Sequence, residues 1–190
     1  MKLGIIHGQK ANIRDVLQTF KNTSAKLQVS LKIMQMNLGD IDPRKCLNAF
    51  LNHISQAADE GCNMVFVAIP NTLKNQYKKI KEHCLMEACI LSQVACESTL
   101  GKKNVQSIAT KILLQIIAKK GNTLWVPSFS KQISHTMIVG FDNASVGGKS
   151  VVSICSTINS TFSSVFTLSE RYSSNEDKMV KMSNLLCKTM

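Results

Sequence analysis

Short apolar runs alternate with amphipathic stretches through most of the chain, and that alternation limits the possible folds more than any single motif. Residues 3–6, 27–36, 64–69 and 90–95 are apolar runs of strand length. Between them, residues 13–22, 44–58, 72–84 and 104–120 repeat apolar positions at helical spacing. Strand and helix in turn argue an α/β fold with a mostly parallel sheet, helices on both faces and ligands beyond the carboxyl ends of the strands. Residues 70–75 follow such an end. Neither a GxGxxG sequence nor a GxxxxGKS or GxxxxGKT sequence occurs, so dinucleotide and P-loop binding have no local signature.

The pattern changes after Pro127. Residues 137–141, 150–158 and 161–168 read as three consecutive strands, with turns supplied by Gly147 and Gly148 and by Asn159 and Ser160. Residues 173–188 then read as a helix with Glu176 and Asp177 in its first turn, where the helix dipole favours negative charge. This is a β-β-β-α meander rather than a further strand–helix unit. The change in pattern predicts a boundary near residues 127–134 and two domains, 1–132 and 133–190.

Charge narrows the partners. Twenty-three Lys and Arg oppose 12 Asp and Glu for a net charge of +11, which suits a polyanion such as nucleic acid or an anionic membrane surface. Seven cysteines are an odd number without a CxxC pair, and they read as reduced thiols of a soluble, intracellular protein. His83, Cys84, Cys89 and Cys96 match no usual zinc spacing, and these thiols read instead as small buried hydrophobes. The apolar runs are too short for a membrane span.

The residues that carry chemistry lie between Pro70 and Gly121. With residues 72–84 as a helix, Tyr77 and Lys81 share a face; on the helix over 104–120, Gln115 and Lys119 do the same. With Gln93 between them, these five groups suit one terminal phosphate, since charge-assisted hydrogen bonds are roughly twice as strong as neutral ones. Spacing alone favours a solvated face of the second helix, with Lys111, Gln115 and Lys119 as its polar stripe apart from Val105, Ile108, Ala109, Ile112, Leu113, Ile116 and Ile117. Tyr77 falls on the apolar stripe of Leu73, Ile80 and Cys84, which predicts a buried ring with its hydroxyl at the edge.

The order of these residues resembles the Argonaute family, its Piwi branch in particular. The sequence VFVAIPN at residues 65–71, the Tyr-x-x-x-Lys of Tyr77 and Lys81, SQVA at 92–95 and QSIATKILLQIIAKKGNTLW at 106–125 are similar to that family's MID domain, and TMIVGFD at 136–142 to the first strand of its PIWI domain. The resemblance implies a Rossmann-like MID domain followed by the opening β-β-β-α of an RNase H-like PIWI domain. It further implies that Tyr77, Lys81, Gln93, Gln115 and Lys119 hold the 5′-monophosphate of a small piRNA-like guide RNA, Tyr77 stacking on the first base. By the same resemblance Asn71, Thr72, Leu73, Lys74 and Asn75 form a loop that reads that base, uridine being the usual preference. Gln115 stands where other Argonautes carry a lysine, which implies a magnesium ion near the phosphate, contacted indirectly. A complementary target RNA, a cytoplasmic or nuclear location, a role in RNA silencing and a monomeric state complete what is implied.

Asp142 closes the expected first strand of the second domain. In RNase H-like nucleases such an aspartate joins other carboxylates in holding two magnesium ions. The DNAS sequence at 142–145 departs from the family's DVxH, and the resemblance sets the remaining carboxylates beyond residue 190. The chain alone is therefore expected to bind rather than cut. Two rival readings are part of a metal-dependent, guide-directed endonuclease and a doubly wound domain for a small molecule or nucleotide.

Overall fold

The computed structural model describes residues 1–8, 13–39, 46–128, 136–173 and 177–189, and the chain divides into two compact units, Met1–Leu124 and Trp125–Met190. In the first unit four strands, β1 (Lys2–His7), β2 (Lys32–Asn37), β3 (Met64–Ile69) and β4 (Leu91–Cys96), form one sheet in the order β2-β1-β3-β4. Every neighbouring pair is parallel. All six residues of β3 are buried, as expected of a central strand covered on both faces. Its side chains alternate between two cores. Met64, Phe66 and Ala68 pack with α1 (Ile13–Lys26) and α5 (Val105–Lys119), Phe66 meeting Phe20 edge-on at 5.6 Å between ring centres. Val65, Val67 and Ile69 pack with α2 (Cys46–Asp59) and α3 (Tyr77–Glu82).

Helix ends set where side chains arrive. α5 stops in a Schellman turn: Gly121 takes φ +83°, its N–H donates to the Ala118 carbonyl, and the Asn122 N–H donates to that of Ile117. Lys119 is thereby fixed as the last residue of the helix. The stretch read as one helix over 72–84 is three in series, a 3₁₀ helix (Asn71–Gln76), α3 and a π-helical turn (His83–Glu87). The Ile90 N–H then donates to the Cys84 carbonyl at 2.8 Å with Cys89 at φ +47°, and the chain turns into β4.

These details correct several expectations. Residues 27–31 are not strand, because the chain leaves α1 through a turn in which Gln28 takes φ +56°, and β2 begins at Lys32. The rise and twist of three helix types break a single 3.6-residue register, so Tyr77 leaves the stripe of Leu73, Ile80 and Cys84 and is 47% exposed. Ile108 is only half-buried at the margin of its core. Cys46, Cys62 and Cys84 are buried, whereas Cys89 and Cys187 are exposed. Burial pushes the Cys46 and Cys62 thiols above the ordinary thiol range.

In the second unit β5 (Val139–Val146), β6 (Lys149–Thr157) and β7 (Val165–Ser173) form an antiparallel meander, followed by α6 (Lys178–Thr189). Val152 and Ile154 of β6 and Leu185 of α6 are its buried centre. Gly147 and Gly148, at φ +59° and +75°, make the two-residue turn between β5 and β6, a conformation that a side chain at either position would strain. β5 and β7 each run about five residues beyond the runs read from sequence, because polar residues alternate outward along their exposed faces. The Asp177 carboxylate accepts from the Met179 N–H at 2.7 Å and caps α6, while Glu176 lies outside the described residues.

Candidate phosphate-binding site

β4 is an edge strand, and its alternation decides the site. Val94 faces the α2 and α3 core and Ala95 faces the α1 and α5 core. Ser92 therefore turns toward α3 and Gln93 toward α5. Lys81 reaches Ser92 from one face, donating to its carbonyl at 3.0 Å and its hydroxyl at 2.8 Å. Lys119 reaches around from the other face, donating to the same carbonyl at 3.0 Å and to Gln93 Oε1 at 2.7 Å. Sharing one oxygen at these distances holds the two ammonium groups within about 6 Å of each other.

Neither lysine has a carboxylate partner among the described residues; the nearby Glu82 pairs with Lys78 at 3.6 Å. Burial of its ammonium, and then the proximity of Lys81, lower the Lys119 pKa from the ordinary lysine value. Two cations held together by neutral oxygens make a site whose missing component is an anion. Beside it opens a cleft of about 490 Å³ walled by Leu85, Met86, Ile90 and Leu91, with Lys78, Lys81, Glu82 and Lys119 as its charged lining.

Of the five expected phosphate contacts, Lys81, Gln93 and Lys119 are brought together. Tyr77 and Gln115 are exposed one helical turn before Lys81 and Lys119, and neither is hydrogen bonded to the cluster. The position of the cluster also departs from expectation. Ser92 pairs in register with Val65, four residues before Ile69 at the carboxyl end of β3, about 13 Å down the strand at 3.3 Å per residue. The lysines gather along the flank of the edge strand, not in the crevice beyond the strand ends. Residues 71–75, expected as an open loop, are 3₁₀ helix with Leu73 buried and Asn71, Thr72, Lys74 and Asn75 exposed.

Ser92 is the residue that sequence reasoning passed over. It is only 5% exposed and accepts from both lysines. A serine at an inward-facing position of SQVA was the available signal.

Asp142 does not end its strand. It is the fourth residue of β5, pairs with Ser153, and its exposed carboxylate accepts from the Asn143 N–H at 2.8 Å. Among the described residues no three His, Cys, Asp or Glu side chains gather to hold a metal ion. Gln115 offers a single amide oxygen, so a magnesium ion beside it fits only if phosphate and water supply its other ligands.

A second polar row joins Ser55 to His83 Nε2 at 2.9 Å and His83 Nδ1 to Glu87 at 3.0 Å. Ser55 lies in the interior of α2, where backbone N–H groups are used within the helix, so no paired donors stand ready for an oxyanion. The row ties α2 to the π turn.

Comparison with known proteins agrees with this architecture. The Piwi domain model matches residues 64–190. Piwi-like protein 1 of Danio rerio is 26% identical over 157 residues, covering 80% of this chain and 18% of that protein, and Piwi-like protein Ago3 of Bombyx mori is 38% identical over 96 residues, covering 50% and 10%. Drosophila Piwi superposes with a TM-score of 0.78 at 18% identity, covering 98% of this chain and 26% of that structure. The MID-PIWI domains of N. crassa QDE-2 AGO superpose at 0.67 and 14%, covering 90% and 51%. Fold and sequence together define a protein of the Argonaute class, with a mostly parallel α/β unit followed by a β-β-β-α unit. The chain belongs to the Piwi domain family, and it spans less than a fifth of the length of the relatives it matches.

Proposed function

We propose that the first unit is a MID-type module that anchors the 5′-monophosphate of a small, single-stranded, piRNA-like guide RNA in RNA-guided silencing inside the cell. The observation that carries this reading is the pairing of Lys81 and Lys119 on one neutral oxygen, with the one acid of the adjoining cleft, Glu82, paired to Lys78 instead. A terminal phosphate brings the missing charge, and its several oxygens accept from both ammonium groups at once. Gln93, already accepting from Lys119 through Oε1, has amide N–H groups with which to donate to the same anion. Tyr77 stands one turn from Lys81 with its ring exposed, free to stack on the first base.

The remaining assignments rest on the same reading. Asn71, Thr72, Lys74 and Asn75 present polar groups from the 3₁₀ helix to a base edge. Magnesium, held by phosphate and water with Gln115 at its margin, supplies positive charge where this chain lacks a third lysine. The second unit is the opening of a PIWI domain, and pairing of the guide with a complementary target belongs to a longer assembly.

Matched RNAs bearing a 5′-phosphate or a 5′-hydroxyl test the proposal. The phosphorylated RNA should bind at least tenfold more tightly, the weight of one charge-assisted contact of about 1.5–3 kcal/mol. Equal affinity for the two would leave only non-specific attraction between a basic protein and a polyanion.

A further inference from the structure

We infer that Ser92 is a positioning residue that holds Lys81 and Lys119 in register for the guide phosphate, an inference that rests on the phosphate reading above. Its hydroxyl and carbonyl together occupy two of the three Lys81 donors, at 2.8 and 3.0 Å, and its carbonyl takes one from Lys119. The two lysines come from helices on opposite faces of the sheet, and Ser92 is where they meet. Nothing else described fixes Lys81. Without an anchor, two like charges this close separate into solvent, and binding then requires ordering a long side chain again.

Ser92 is itself fixed. It is buried at 5% exposure and sits in ladder register with Val65. The carbonyl serves both lysines and the hydroxyl Lys81 alone, so losing the hydroxyl takes one of the two Lys81 anchors and leaves Lys119 its carbonyl acceptor.

The test uses matched 5′-phosphate and 5′-hydroxyl RNAs with the parent chain, Ser92→Val and Ser92→Thr. Valine removes the hydroxyl and suits a strand, while threonine restores the hydroxyl. Ser92→Val should lower the preference for phosphate by about 2–10-fold, the effect of leaving one long side chain unordered, and Ser92→Thr should recover it. A folded Ser92→Val protein with the parent's preference overturns the inference. A second readout needs neither variant nor RNA. In the free parent protein the Lys81 ammonium protons should exchange with water more slowly than those of the exposed Lys111, and equal exchange also overturns the inference. Slow exchange at Lys81 in a parent that does not prefer phosphate would instead show Ser92 holding the lysine while the phosphate reading fails.

Discussion

Lys81 and Lys119 in the first unit and Asp142 in the second were both picked from sequence as charged groups near a nucleic-acid phosphate, and the fold treats them differently. The lysines arrive from two helices on opposite faces of an edge strand and are held by three oxygens within 3.0 Å. Asp142 stands alone in the middle of β5, exposed, accepting from its own neighbour's N–H. A charge becomes a site when several elements converge on it and the compensating charge is withheld. Periodicity reveals which residues share a face, but convergence between elements appears only once the chain is folded.

The largest effect that separates the two regions should come from Lys81→Ala or Lys119→Ala. Either should reduce the preference for 5′-phosphorylated RNA tenfold or more, read by equilibrium binding of matched RNAs. Loss of affinity for both RNAs alike would make these ordinary backbone contacts. The next effect is in pH. Because the Lys119 pKa lies below the ordinary 10.5, its charge is lost earlier on the alkaline side, so phosphate preference should begin to fall below pH 10.5. Lys119→Arg, charged throughout, should remove that fall. The sign for stability is opposite: the charged Lys119 is disfavoured in the free fold, so its contribution to stability grows as pH rises through its lowered pKa and is lost as pH falls back through it.

A smaller, several-fold effect is expected of magnesium, which should tighten binding of the phosphorylated RNA in the parent and do so less in Gln115→Lys. Superimposable titrations with magnesium and with chelator would remove the ion from the account. The smallest effect belongs to Asp142→Ala. Guide affinity should not change, and unfolding free energy should move by no more than about 0.5 kcal/mol, the range for an exposed substitution.

Much of the first unit was legible because buried parallel strands leave continuous apolar runs; VFVAI at residues 65–69 is covered on both faces and has no other reading. The α5 stripe was legible because one uninterrupted helix keeps one period. Tyr77 was misplaced because 3₁₀, α and π turns follow one another over residues 71–87, and no single period spans them. Ser92 was missed because a neutral serine gives no charge signal, although strand alternation turned it inward. The length of β5 was understated because its outward positions are polar, as an exposed sheet face allows.

The most direct measurement is the titration of the Lys119 ammonium by NMR in the free protein, with 5′-hydroxyl RNA and with 5′-phosphorylated RNA. In the free protein the midpoint should lie below that of an exposed lysine, as burial and Lys81 require. A phosphate docked between Lys81 and Lys119 should raise that midpoint markedly, while the hydroxyl RNA should leave it nearly where it was. The same midpoint with both RNAs would contradict the account.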